Sequence, residues 1–215
     1  MRRSSTFAAL ALAAYAPLAA ALDQNAPAVI PKGAYEIDKV HTSLVFRVSH
    51  LGFSTYTGRF THIDAKLDFD PSRLAASRVN VTIDPRSIQA DNAPSGFLDS
   101  LAGKDWLNAA EFPVMSFRST SVEIVGNNSF RLHGNLTLHG VTKPIVLDAR
   151  YNGGYASHPY EPRARIGFSA RGSFKRSDFG VSYGIPAPGT TMGVGDEVQV
   201  ILETEFSGPP LAAKD

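Results

Sequence analysis

Between Ile63 and Phe69 the chain reads Ile-Asp-Ala-Lys-Leu-Asp-Phe, apolar and polar in strict alternation. Only an extended strand, whose successive side chains point to opposite faces, turns that pattern into one buried face and one wet one. The same period recurs at Leu44, Phe46 and Val48, and again at Val79, Val81 and Ile83, where Asn80 and Thr82 face away. Further strands are expected at Val114 to Ser119, Val122 to Val125, Phe130 to His139, Ile145 to Tyr151, Ala164 to Phe174 and Asp196 to Phe206. Turn chemistry separates several of them, at Gly126-Asn127-Asn128, Gly140 to Pro144 and Asn152-Gly153-Gly154. Many short strands joined by such turns predict an all-β antiparallel sandwich or barrel. One stretch breaks the period: from Asp91 to Ala110, Phe97, Leu98 and Leu101 fall at helical spacing and Trp106 and Leu107 follow. It is expected to form one or two short helices covering a barrel end.

Ahead of this pattern, Met1-Arg2-Arg3 places positive charge before an apolar run from Phe7 to the small residues Ala19-Ala20-Ala21. The run is alanine-rich and shorter than the about twenty residues that span a bilayer, so residues 1–21 read as a cleavable secretory signal. Residues 22–34 read as a tether, 35–207 as one barrel domain and 208–215 as a tail. The leader holds two of the 21 Lys and Arg and none of the 20 Asp and Glu, leaving 19 against 20. A near-neutral chain with no basic stripe is not a nucleic-acid binder. An exported chain without cysteine has no disulfide to hold it, and about 190 residues can bury a core that does so alone.

If the apolar face of each strand is the inner one, it carries Leu44, Phe46, Val48, Leu67, Phe69, Val79, Val81, Met115, Phe117, Leu132, Leu136, Ile145, Leu147, Ile166, Phe168, Val198, Val200 and Leu202. None is charged, so the guest such an interior suits is a long apolar molecule; side chains that simply fill the barrel are the competing reading. Phe97, Trp106, Phe112 and Phe179 are expected near the ligand path. Headgroup contacts are expected beside the helical segment, from Lys104, Asp105, Arg176 and Asp178. Catalytic residues are not expected, because the chain has neither a nucleophile elbow nor a cysteine. Nor is a metal expected, because the six histidines lack ligand spacing. His133 and His139 share the parity of Arg131, which predicts a wet face for both. His41, three residues after Asp38, reads as a hydrogen-bonded structural residue.

Taken together, several strings resemble the YceI-like polyisoprenoid-binding proteins from about Tyr35 to Phe206. They are Tyr35-Glu36-Ile37-Asp38-Lys39-Val40-His41-Thr42-Ser43, Val48-Ser49-His50-Leu51-Gly52-Phe53, Gly58-Arg59-Phe60, Trp106 to Pro113, Gly134 to Pro144, Arg176-Ser177-Asp178-Phe179-Gly180 and Gly195-Asp196-Glu197-Val198. The resemblance implies an eight-stranded lipocalin-like barrel, a periplasmic or secreted location and a pocket for a prenyl quinone, prenyl phosphate or similar amphiphile, with no other cofactor. It favours a hollow interior over a filled one. Partners expected on this basis are the long-chain isoprenoid or acyl lipid itself, a transient membrane or envelope-protein contact and a second copy in a homodimer. The segment Asp91 to Lys104 departs from the family in carrying fewer charges, and it is expected to border the pocket mouth. A ligand-free barrel serving as an envelope stress or interaction module is the alternative function.

Overall fold

The structure, a computed structural model, describes residues 30–210. The leader, most of the tether and the last five residues of the tail lie outside the described residues. Ten strands follow in chain order: β1 (Gly33–His50), β2 (Ser54–Phe60), β3 (Ile63–Phe69), β4 (Arg78–Ile83), β5 (Ile88–Gln89), β6 (Met115–Gly126), β7 (Ser129–Leu138), β8 (Val141–Tyr155), β9 (Arg163–Lys175) and β10 (Val194–Pro210). One α-helix, α1 (Phe97–Ala102), interrupts them. β1 thus starts two residues before the expected boundary, and β10 takes in the first three residues of the expected tail.

Eight of the strands close a ring of antiparallel pairs in the order β1, β3, β4, β6, β7, β8, β9, β10, with β10 returning to β1. This is the closed eight-stranded lipocalin-like barrel that the family resemblance implies, and one of the two architectures that the strand pattern leaves open. β2 and β5 hang from the ring as a short extension. β1 serves both parts because it is bulged: Asp38 pairs with Glu205 and Ser43 with Glu203, so residues are looped out between them. Before the bulge Gly33–Glu36 pairs with β3, and after it Leu44–His50 pairs with β2. A bulge bends a strand and tightens its twist, which is how β1, paired with β10 on both sides of the bulge, exchanges β3 for β2 as its other neighbour.

Two expected turns differ in detail. Asn152-Gly153-Gly154 lies inside β8, where a register shift between Tyr151 and Gly153 absorbs the extra residue. The β7–β8 turn is made by His139 and Gly140, both with positive φ, so β8 begins at Val141. Strand parity therefore stops at Leu138, and His139 is not on the wet face. Its Nε2 is buried without a hydrogen-bond partner and its ring lies 4.8 Å from that of Phe112. The two segments read separately as Val114–Ser119 and Val122–Val125 are one strand, β6, bulged between Ser119 and Ser121.

The barrel has unlike ends. At the covered end lie α1, the start of β6 and the 3-10 turn Arg176–Phe179. At the other lie the β6–β7 hairpin and the 3-10 turn Leu74–Ala76.

Candidate functional site

The barrel encloses a cavity of about 400 Å³. Inward-facing Phe46, Val79, Val81, Leu132, Phe168, Val200 and Leu202 are only half-buried, although they point away from bulk solvent, because they face empty space. A filled barrel would have buried them fully at native packing density. The wall is almost wholly apolar. Phe168 is its aromatic centre, with the rings of Phe69, Phe130, Tyr151 and Phe206 all within 6.2 Å of it. Burial raises the Tyr151 phenol above its usual pKa.

Glycines on neighbouring strands make room for the wall's rings. A Cβ at Gly134 would overlap the ring of Phe117, and one at Gly58 the ring of Phe46. Polar side chains interrupt the wall in two places. At mid-height Thr42 Oγ1 donates to the Asp38 carbonyl at 2.7 Å and lies 3.1 Å from Thr204 Oγ1. Around the rim stand Ser77, Arg78, Asn128 and Ser129.

The mouth is identified by exposure. Among the lining residues Pro71, Leu74, Arg78, Ile124, Gly126 and Asn128 are exposed, and all six lie at the end carrying the β6–β7 hairpin. The reason is a mismatch of strand lengths. The last rung between β4 and β6 is Asn80 with Arg118, yet β6 runs on to Gly126. Its free edge there is met by the turn Leu74–Ala76 instead of by a strand. That turn is held by Asp70, which is buried and accepts from Ser72 N, Ser72 Oγ, Arg73 Nε and, at 2.9 Å, Lys32 Nζ. Those bonds, from Ser72 first and Lys32 next, keep the Asp70 carboxyl well below the usual carboxylate range.

Of the residues expected around a ligand, Phe46, Leu67, Phe69, Met115, Phe117, Leu136 and Phe168 line this cavity, whereas Val48, Phe97, Trp106, Phe112, Ile166 and Phe179 do not. Phe179, 1% exposed, packs edge-on at 5.3 Å against Phe174 and belongs to the core closing the covered end. Phe97 rests against Tyr56, and Trp106 against Tyr183. Ile166 is wholly buried in the cluster around Tyr35 and Phe206.

The four expected headgroup residues lie at the covered end, none of them on the cavity, and this corrects the expectation that the helical segment borders the mouth. Lys104 and Asp105 face solvent. Asp178 faces Lys143 at 3.8 Å. Arg176 is buried and donates to four backbone carbonyls: Nε to Gly195 O, Nη1 to Val181 O and Tyr183 O, and Nη2 to Val194 O, with the guanidinium over the Trp106 ring. It staples the covering segment in place. Lining residues left out of the sequence expectation include Phe60, Phe130, Tyr151, Phe174 and Phe206, whose signal was their place in alternating segments.

On the outer wall the β1 bulge is clamped by charge. Arg165 donates to Asp38, to Glu205 at 2.8 Å and to Glu161 at 2.8 Å, and His41 Nδ1 lies 2.9 Å from Asp38. Asp38, His41 and Glu205 bring possible ligand atoms within 4.8 Å of one another, but the Arg165 guanidinium already bridges the two carboxylates. Burial works to raise the Asp38 carboxyl; the bonds from His41, Arg165 and Val40 N, with the charge of Arg165, outweigh it and hold the group well below its ordinary value.

One relative and two solved structures share this architecture. A UPF0312 protein of Shewanella oneidensis is 37% identical over 158 residues, covering 73% of this chain and 81% of its own. The crystal structure of the Campylobacter jejuni YceI protein superposes with a TM-score of 0.63 at 31% identity, over 75% of this chain and 90% of its own. A polyisoprenoid-binding domain from Saccharophagus degradans, implicated in plant cell wall breakdown, matches in fold with a TM-score of 0.62 at 16% identity, over 83% of this chain and all of its own. Residues 35–206 match the model of the YceI-like domain, and the chain belongs to that family.

Proposed function

We propose that the protein is exported and holds a long-chain polyisoprenoid, as a quinone or prenyl phosphate, or a comparable amphiphile, for carriage, storage or sequestration outside the cytoplasm. The observation that carries this reading is the hollow, apolar interior open at one end. Each methylene moved from water into such a wall contributes about 0.8 kcal/mol, so a tail of ten gathers about 8 kcal/mol, against which the loss of ligand freedom is set. The polar rim of Ser77, Arg78, Asn128 and Ser129 then takes the headgroup, which stays at the mouth while the tail runs inward past Phe168. Arg78 and Tyr151 are the titratable groups among the lining residues, and neither is paired with a base or nucleophile there. This supports binding over catalysis. Export rests on the leader, and the belonging to a family with a polyisoprenoid-binding fold neighbour supports the ligand class.

Native mass spectrometry of the mature protein purified from its own envelope, followed by denaturing lipid analysis, tests the reading. The expected result is a stoichiometric prenyl or long-acyl adduct. A protein that is purified empty, and stays so after incubation with a prenyl quinone and a long-chain acyl lipid, would overturn it in favour of a ligand-free module.

A further inference from the structure

The mouth is apolar on both sides of its rim. Leu74 and Ile124 line the cavity and yet are 38% and 54% exposed, and Val125, next along β6, is 50% exposed on the outer side. Ala75 and Ala76, beside Leu74, are exposed as well. These residues are not loosely placed. The 3-10 turn is stapled from below by Asp70, while Arg78 Nη1 donates to the carbonyls of Ala75 and Ser77 at 2.9 and 2.7 Å. The scaffold therefore holds apolar side chains out in water where the cavity wall continues onto the surface. Three cations, Lys32, Arg73 and Arg78, stand around the turn against two carboxylates, Asp70, buried and paired with Lys32 and Arg73, and Asp68, in register with Arg78.

We infer that this rim docks on the surface of an anionic phospholipid bilayer, seating Leu74, Ala75, Ile124 and Val125 at the level of the upper acyl chains so that the mouth opens into the apolar layer. The inference rests on the lipid-binding reading of the cavity and adds where the ligand is exchanged. A lipid that crosses to the barrel through water exposes every methylene of its tail, whereas a continuous apolar track from bilayer to Phe168 spares it that exposure. The size of the patch also points to a bilayer. Three large side chains and two alanines fall far short of the about 1,200 Å² of a stable protein–protein interface, but they suit shallow insertion assisted by basic neighbours.

The test uses the mature protein and vesicles of phosphatidylethanolamine and phosphatidylglycerol, about three to one, carrying a prenyl quinone. The same quinone in detergent micelles serves as the second source. Val125→Asp combined with Ala75→Asp alters the rim at positions that do not line the cavity. We expect quinone uptake from vesicles to slow at least tenfold in this variant, while uptake from micelles is unchanged, which also shows that the variant is folded. Sedimentation of the protein with vesicles should fall in parallel. Equal uptake rates from vesicles by both proteins, or wild-type protein that does not sediment with the vesicles, would overturn the inference. Failure of the wild type to load from either source would overturn the cavity reading instead, and sedimentation alone would then decide the docking.

Discussion

Phe168 faces the cavity half-buried, with four aromatic rings around it. A carboxylate there would stand in the ligand path with no partner to offset its desolvation. Phe168→Asp is expected to lose at least tenfold in retained lipid per protein, and Phe168→Leu to keep most of it; a folded Asp variant that retains lipid would remove Phe168 from the path. At Gly134 a methyl group would displace the Phe117 ring. Gly134→Ala is therefore expected to cost about 1–3 kcal/mol, the range for overpacked cores, measurable as a lowered urea midpoint. These two residues mark what single positions reveal. Alternation identified Phe46, Leu67, Phe69, Met115, Phe117, Leu136 and Phe168 as inward, and they line the cavity. It also marked Ile166, which shares the parity of Phe168 yet has 0% of its surface exposed. Parity reports the face of a strand and is blind to height along the barrel, which decides whether an inward residue meets empty space or, like Ile166, the packed side chains of Tyr35 and Phe206.

At the scale of elements, the helical break in the alternation and its place over a barrel end were legible, but the position of the mouth, at the opposite end, was not. The opening follows from β6 outrunning β4, a matter of register between segments that no local pattern encodes. The covering segment is instead fastened shut by Arg176, whose charge burial opposes and Asp196 favours. Arg176→Met removes the donors from four backbone carbonyls, and such stranded buried groups are individually costly. The expected loss is about 3–5 kcal/mol of unfolding free energy, read from denaturant curves. The β1 bulge makes a pH prediction. Because Asp38 has a depressed pKa in the fold, its contribution is complete above the ordinary carboxylate value of about 3.9 and is lost as pH falls below it. Wild-type stability should drop between pH 4 and the lowest accessible pH more steeply than that of Asp38→Asn, which is already without the charge. Parallel curves would mean that the bulge does not depend on the ionised group.

For the whole molecule, the emptiness that admits a ligand is itself an energetic term. Cavities created in protein cores cost about 24 cal/mol per Å³, and on that scale 400 Å³ amounts to roughly 10 kcal/mol, comparable with the entire stability of a typical domain. Without a disulfide to offset it, the empty barrel must rely on its ring of hydrogen-bonded strands and its plugged end, so ligand occupancy should register strongly in its stability. A ligand at a hundred times its dissociation constant adds about 2.7 kcal/mol. For a chain of this length each kcal/mol shifts the melting temperature by about 2–4 °C, so delipidated protein should melt roughly 5–10 °C below the loaded form. Calorimetry of the two forms measures this directly, and the shift should grow with free ligand concentration because it arises from mass action. Identical melting of a demonstrably loaded and a stripped sample would mean that the lipid is not held in the barrel interior, and the hollow would then need another explanation.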